Sequence, residues 1–314
     1  MSRARIAVAV AGAAFAVAVV LATLRVGEEP GKLSDWQALV LGIVQGATEL
    51  LPISSSGHLI LVPWAAGWEY LSNHPDFNKT FDVALHLGTL VAVILYFWGD
   101  VVRLVGAWLR SVRRRRIETD DERVAWYVAI ATVPAAIAGA AGESFIERKL
   151  GEPWQIAILL AVFALILWLA DRVVARRELS DIGWKGAVTL GLAQCLALMP
   201  GVSRSGVTIT AARFMRLDRD SAARLSFLLL IPIVFGASVL KGVKDVALGG
   251  GLPPGSAGPF VVGMIAAAVV GLIAIWALLG YVRRHTYSLF VLYRLALAAA
   301  ILVVIVAGWR DKNF

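Results

Sequence analysis

The 314-residue chain has little of what a soluble enzyme uses: 17% of its residues are charged, and it has one cysteine and four histidines. An average soluble domain carries about 25% charged residues. The lone Cys195 excludes an intramolecular disulfide, so nothing here depends on an oxidising compartment. With 59% apolar residues and a mean hydropathy of +0.76, the shortage of charge also excludes disorder and an ordinary cytosolic enzyme. A polytopic membrane protein is left. The net charge of +8 comes from short basic clusters between apolar runs, the pattern of cytoplasmic membrane loops. No nucleic-acid partner is expected.

Apolar stretches long enough to span a hydrocarbon core run near Ile6–Leu24, Phe81–Trp98, Val124–Ala141, Trp154–Ala170, Leu225–Leu240, Phe260–Leu279 and Leu289–Ala307. The first follows Arg3 and Arg5. Its 19 residues exceed a signal-peptide core of about 7–15, and no A-x-A site follows, so an uncleaved anchor helix is expected.

Two further segments are broken in the middle. Trp36–Leu51 runs into Pro52-Ile53-Ser54-Ser55-Ser56-Gly57 and then Leu59–Ala66. Gly186–Met199 runs into Pro200-Gly201-Val202-Ser203-Arg204-Ser205-Gly206 and then Val207–Met215. Each half, at about 14–24 Å as a helix, is too short for a core of about 30 Å. Non-helical backbone at membrane depth is tolerated only inside protein or beside a water-filled cavity. Both segments therefore read as re-entrant hairpins. At a constant offset of 149, Gly42, Gln45, Ser54, Ser56 and Gly57 align with Gly191, Gln194, Ser203, Ser205 and Gly206.

Twenty Lys and Arg fall on one side of this arrangement and nine on the other, which orients the chain by the positive-inside rule. The first hairpin then enters from outside and the second from the cytoplasm. The expected fold is an all-α polytopic membrane protein, an inverted-topology repeat whose two re-entrant hairpins meet at the midplane. Residues 1–32 form an N-terminal extension with an extra transmembrane helix. Residues 33–308 form one membrane-embedded domain, with repeats near 33–170 and 184–308.

Gln45 and Glu49 share a helix face by i, i+4 spacing. A carboxylate at that depth costs several kcal/mol unless it is paired, hydrated or metal-bound. A tight hairpin returns His58 towards Glu49. The second kernel brings Arg204, a fork of donors suited to phosphate oxygens, between Ser203 and Ser205, with Thr208 a turn later. Two helix N-termini, a Ser-rich lining and an Arg make an anion site, for phosphate above other anions. The competing readings are structural: Glu49–Arg204 as an ion pair and the serines as partners for hairpin backbone. Asp82 and His86, on one helix face near the outer boundary, read as hairpin-supporting or interfacial. The Trp residues read as interface belts, and Arg113–Arg116 as a cytoplasmic flank near anionic lipid.

These elements resemble those of the bacterial undecaprenyl pyrophosphate phosphatases. The family's (E/Q)-x-x-x-E element appears as Gln45 to Glu49 and runs into Leu51 to His58. Its P-G-x-S-R-S-x-x-T element is complete from Pro200 to Thr208, and softer features match at Phe81–Gly88, Phe227–Pro232 and Tyr293-Arg294. The resemblance covers about Asp35 to Ala307. The extension through about Lys32 departs from it.

The resemblance implies hydrolysis of undecaprenyl diphosphate at a site open to the outer face of the bacterial cytoplasmic membrane, with tolerance of bacitracin. On this implication Arg204 binds the diphosphate oxygens, with Ser54, Ser203, Ser205 and Thr208 as further donors and Gln45, Ser56, Gly57 and Gly206 beside them. His58 serves as base and then acid, and Glu49 orients it or holds a divalent ion. Ser55 is the candidate nucleophile, with His58 or an activated water as alternatives. A magnesium or calcium ion is implied on the diphosphate. The polyprenyl tail lies against apolar walls in the bilayer, and a homodimer stays open. A secondary transporter or flippase is the rival reading, since broken helices at the midplane describe both. A type 2 phosphatidic acid phosphatase is excluded: no histidine has Asp four residues later.

Overall fold

Ser34 begins the first described helix with a capping box. Its Oγ accepts from the Gln37 N–H at 3.2 Å, and Gln37 Oε1 accepts from the Ser34 N–H at 3.0 Å. The structure, a computed structural model, describes residues 32–68, 70–243 and 256–311, without the side chains of 143–148. The expected span at Ile6–Leu24 lies outside the described residues.

Helix α1 (Asp35–Glu49) turns through Pro52 into α2 (Ser55–Ala66), followed by a short α3 (Tyr70–Asn73) and a long α4 (Pro75–Tyr96). Then come α5 (Trp98–Arg114), α6 (Asp120–Lys149), α7 (Pro153–Asp171) and a 3₁₀ turn at Leu179–Ile182. The second broken segment forms α8 (Gly183–Leu196) and α9 (Arg204–Phe214), and α10 (Arg219–Lys241), α11 (Ala257–Val282) and α12 (Ser288–Val306) complete the chain. The described residues contain no strand, only an isolated bridge between Arg177 and Leu217.

Six helices are long and apolar enough to cross a membrane: α4, the Asp120–Gly142 part of α6, α7, α10, α11 and α12. The chain is an all-α multi-pass membrane protein. The four half-helices have 15, 12, 14 and 11 residues. At about 16–23 Å each, none spans the hydrocarbon core alone.

Small residues set how closely α1 can approach. A Cβ at Gly42 would meet the Gly263 carbonyl oxygen at 2.3 Å, and one at Gly46 the Ala267 oxygen at 2.6 Å. Glycine lets α1 lie directly on the backbone of α11, as helices pack in membranes. α4 also packs on α11, α8 on α6, α7 on α12, and α10 on α4. The largest apolar core joins Leu50, Ile53 and Leu90 with Leu190, Phe227 and Leu278, so both hairpins share it.

Apart from Trp98, α5 lies outside every span expected from the sequence. Leu104, Ala107 and Ser111 face inward, while Trp98, Val102, Val105, Leu109 and Val112 form an exposed apolar stripe. Arg113 and Arg114 occupy the last turn, where positive charge complements the helix dipole. A helix so strongly two-faced suits a boundary between apolar and polar surroundings.

Candidate active site

The two hairpin tips are built alike. Ser54 and Ser203 have φ of 77° and 74°, a left-handed backbone that a non-glycine residue adopts only when its surroundings hold it there. Each caps the helix that follows. Ser54 Oγ accepts from the Gly57 N–H at 3.4 Å, and Ser203 Oγ accepts from the Gly206 N–H at 3.0 Å. The tips are also tied to each other. Ser54 Oγ accepts from the Gly201 N–H at 3.0 Å, and Ser205 Oγ donates to the Leu51 carbonyl at 2.9 Å.

Arg294 of α12, fully buried, fastens both tips from behind. Its Nε donates to the Leu160 carbonyl at 3.1 Å and Nη1 to that of Pro52 at 3.3 Å. Nη2 donates to the carbonyls of Gly201 and Val202 at 2.9 and 3.1 Å. Only guanidinium offers so many donors in a rigid fork.

At the front of the tips, Glu49 is the hub. Its Oε1 accepts from Arg204 Nη2 at 2.9 Å. Its Oε2 accepts a short hydrogen bond from Ser55 Oγ and another from Gln45 Nε2 at 3.2 Å, and lies 3.3 Å from His86 Nε2. Arg204 Nη1 donates to the Ser226 carbonyl at 3.1 Å. Thr208 donates to the Arg204 carbonyl at 2.8 Å and meets Ser226 Oγ at 2.7 Å, so it steadies the start of α9.

A cavity of about 250 Å³ opens on this group. Glu49, Ser55, Ser56, His86, Gln194 and Arg204 line it, with Val83, Leu198, Ile233 and Ser238 among the rest. Gln194 Nε2 donates to the Ala131 carbonyl at 2.8 Å. Its Oε1 and Ser238 Oγ are buried without a partner among the described residues, which leaves polar atoms for an incoming group.

The expected residues thus divide. Glu49, Ser55, Ser56 and Arg204 reach the cavity. Gln45 backs Glu49, while Ser54, Gly57, Ser203, Ser205, Gly206 and Thr208 build the tips. His58 is placed differently from the expectation that it returns beside Glu49. Its Nδ1 lies 2.6 Å from the Ser54 carbonyl and its Nε2 2.7 Å from the Tyr293 hydroxyl, with the two rings stacked. The imidazole beside Glu49 is that of His86, a residue the sequence presents as hairpin-supporting or interfacial. Its i, i+4 relation to Asp82 was the available signal.

A resident divalent ion does not fit Glu49. Such an ion takes several free oxygens at about 2.0–2.6 Å. Glu49 is the single carboxylate on the described cavity wall, and both of its oxygens already accept from donors. Gln45 turns its amide nitrogen to Glu49 and keeps Oε1 buried without a partner among the described residues, so the one spare oxygen beside Glu49 is neutral where a second carboxylate would be needed. Among the described residues no group of three His, Cys, Asp or Glu converges.

Known proteins match this chain over most of its length. The family model for bacitracin resistance protein BacA matches residues 38–300. Undecaprenyl-diphosphatase of Desulforudis audaxviator (strain MP104C) is 44% identical over 274 residues, 87% of this chain and 98% of that protein. The undecaprenyl-diphosphatase of Moorella thermoacetica (strain ATCC 39073 / JCM 9320) is 46% identical over 273 residues, 85% and 97% of the two chains. That of Geobacter sulfurreducens (strain ATCC 51573 / DSM 12127 / PCA) is 46% identical over 272 residues, 86% and 98%.

Proposed function

The chain belongs to the bacitracin resistance protein BacA family, and from that premise we propose that it hydrolyses undecaprenyl diphosphate to the monophosphate and inorganic phosphate. The observation that carries this reading is the Ser55 hydroxyl on the cavity wall, donating to Glu49 beside the Arg204 guanidinium. A hydroxyl already hydrogen-bonded to a carboxylate is a nucleophile with its base in place. Ser55 Oγ bonds to the terminal phosphorus as the bridging P–O bond breaks, and its proton passes to Glu49. Undecaprenyl monophosphate leaves. Glu49 hands that proton to the departing monophosphate, takes one from the water that attacks the phosphoserine, and returns it to Ser55 Oγ as the serine–phosphorus bond breaks and inorganic phosphate leaves. Arg204 neutralises the charge that gathers on the phosphoryl oxygens. Glu49 is the base here instead of His58, whose ring nitrogens are engaged by Ser54 and Tyr293.

We place the cavity on the outer side of the bacterial cytoplasmic membrane, on the strength of the Lys and Arg distribution. The inverted repeat is supported by the matched caps at Ser54 and Ser203 and by reciprocal packing, α1 on α11 and α8 on α6. The apolar tail lies in the bilayer beside the helices, and bacitracin tolerance follows from removal of the diphosphate that bacitracin sequesters. Detergent-solubilised protein tests the reading, because no gradient exists there to drive a transporter. Phosphate release from C55 diphosphate is expected. A folded protein that releases none would overturn it.

A further inference from the structure

The two histidines near the hairpins have opposite hydrogen-bonding surroundings. His58 Nδ1 faces the Ser54 carbonyl, which can only accept, and Nε2 faces the Tyr293 hydroxyl, which can donate. A neutral ring satisfies both. His86 Nδ1 lies 2.7 Å from the Asp82 carbonyl, again an acceptor only. Its Nε2 lies 3.3 Å from Glu49 Oε2, which is also an acceptor when the carboxylate is ionised. Arg204, Ser55 and Gln45 all donate to that carboxylate, so it is held in its ionised form. Both ring nitrogens of His86 then carry hydrogen.

We propose that His86 is a positioning residue for the reaction: as an imidazolium it holds the Glu49 carboxylate on Ser55 and adds a second positive charge to the cavity. This rests on the reading of Ser55 and Glu49 given above. The titratable and charged groups around the ring are Glu49 and Arg204 on the described cavity wall and the Asp82 carboxyl one turn earlier on α4, so two of the three are acidic. With one cation alone, Arg204 would have to bind both Glu49 and the diphosphate. With two, Arg204 can turn to the phosphate oxygens while His86 keeps Glu49 in place. The protein's own cation thus occupies the side of Glu49 that a divalent ion would need.

Two measurements on the full-length protein in detergent test this. Conversion of His86→Gln is expected to lower kcat for C55 diphosphate about 10²-fold, the scale of a disturbed acid–base pair, with KM within about threefold. In protein labelled with ¹⁵N-histidine, at neutral pH and without substrate, His86 should show two protonated ring nitrogens and His58 one. The variant's missing signal assigns His86; if it does not fold, substitutions at His58, His74 and His285 assign it by elimination. A kcat within threefold of the parent, a loss confined to KM, or an unprotonated nitrogen on His86 would each overturn the proposal. If the parent protein releases no phosphate, the hydrolase reading fails, and the nitrogen spectrum still decides the state of His86.

Discussion

Arg204 and Glu49 belong to different hairpins, 155 positions apart, and meet at 2.9 Å with little exposure of either side chain. An ion pair in that position is either scaffolding or machinery, and the two differ in what substitution does. Removing one partner of a purely structural buried pair leaves an uncompensated charge and destabilises by about 3–5 kcal/mol, while removing both restores folding. Both groups line the cavity, so the catalytic pattern is expected. Arg204→Ala and Glu49→Ala should each fold and lose at least about 10²-fold in kcat/KM. The double variant should be as inactive as the worse single one, because members of one catalytic unit are not additive. Phosphate release and thermal unfolding, measured together, decide the matter. A stable, active double variant would move the chemistry elsewhere.

Arg294 makes the opposite prediction. It lies away from the cavity wall and satisfies three backbone carbonyls in the two tips and a fourth, that of Leu160, in α7. Arg294→Leu should leave those oxygens unpaired at membrane depth and destabilise by about 3 kcal/mol or more. Arg294→Lys should rescue little, since a point-like ammonium cannot span the same carbonyls. A drop in melting temperature in detergent for both variants is the expected result.

The broken segments were legible because their composition is local: Pro, Gly and Ser where an apolar helix should continue. The six spans were legible for the same reason, as each carries its own apolar run. What the sequence hid depends on how helices meet. His86 reaches Glu49 because α4 packs on α1 and both pack against α11. The role of Arg294 depends on carbonyls up to 242 positions away, and a carbonyl has no signature in a sequence. His58 was drawn towards Glu49 by nearness along the chain, whereas α12 offers it Tyr293.

The tips should show a graded response to loss of their caps. Ser203→Ala removes one N-cap, worth about 1 kcal/mol, and a 3.2 Å contact with the Ser205 hydroxyl, which keeps its bond to the Leu51 carbonyl. Ser54→Ala removes a cap and also the acceptor for the Gly201 N–H, so it should cost about 1–3 kcal/mol more through the buried donor left unpaired. Chemical or thermal unfolding of the two variants side by side gives the order. Equal losses would mean that the Ser54–Gly201 contact contributes nothing.

The orientation of the chain can be read with thiol chemistry once Cys195 has been replaced by serine. Asn73 ends α3, close to the start of α4, and Thr119 lies between α5 and α6, at the other end of the α4 span. The excess of Lys and Arg around Arg103–Arg123 assigns that loop to the cytoplasm. A cysteine at Asn73 should therefore react with a membrane-impermeant reagent in intact cells, and a cysteine at Thr119 should react only after permeabilisation. The charge argument is strong here because the basic residues sit in a short loop close to the span ends, where they govern insertion. If the pattern is reversed, the cavity faces the cytoplasm, and a substrate arriving from the outer leaflet would have to cross the membrane before it could be hydrolysed.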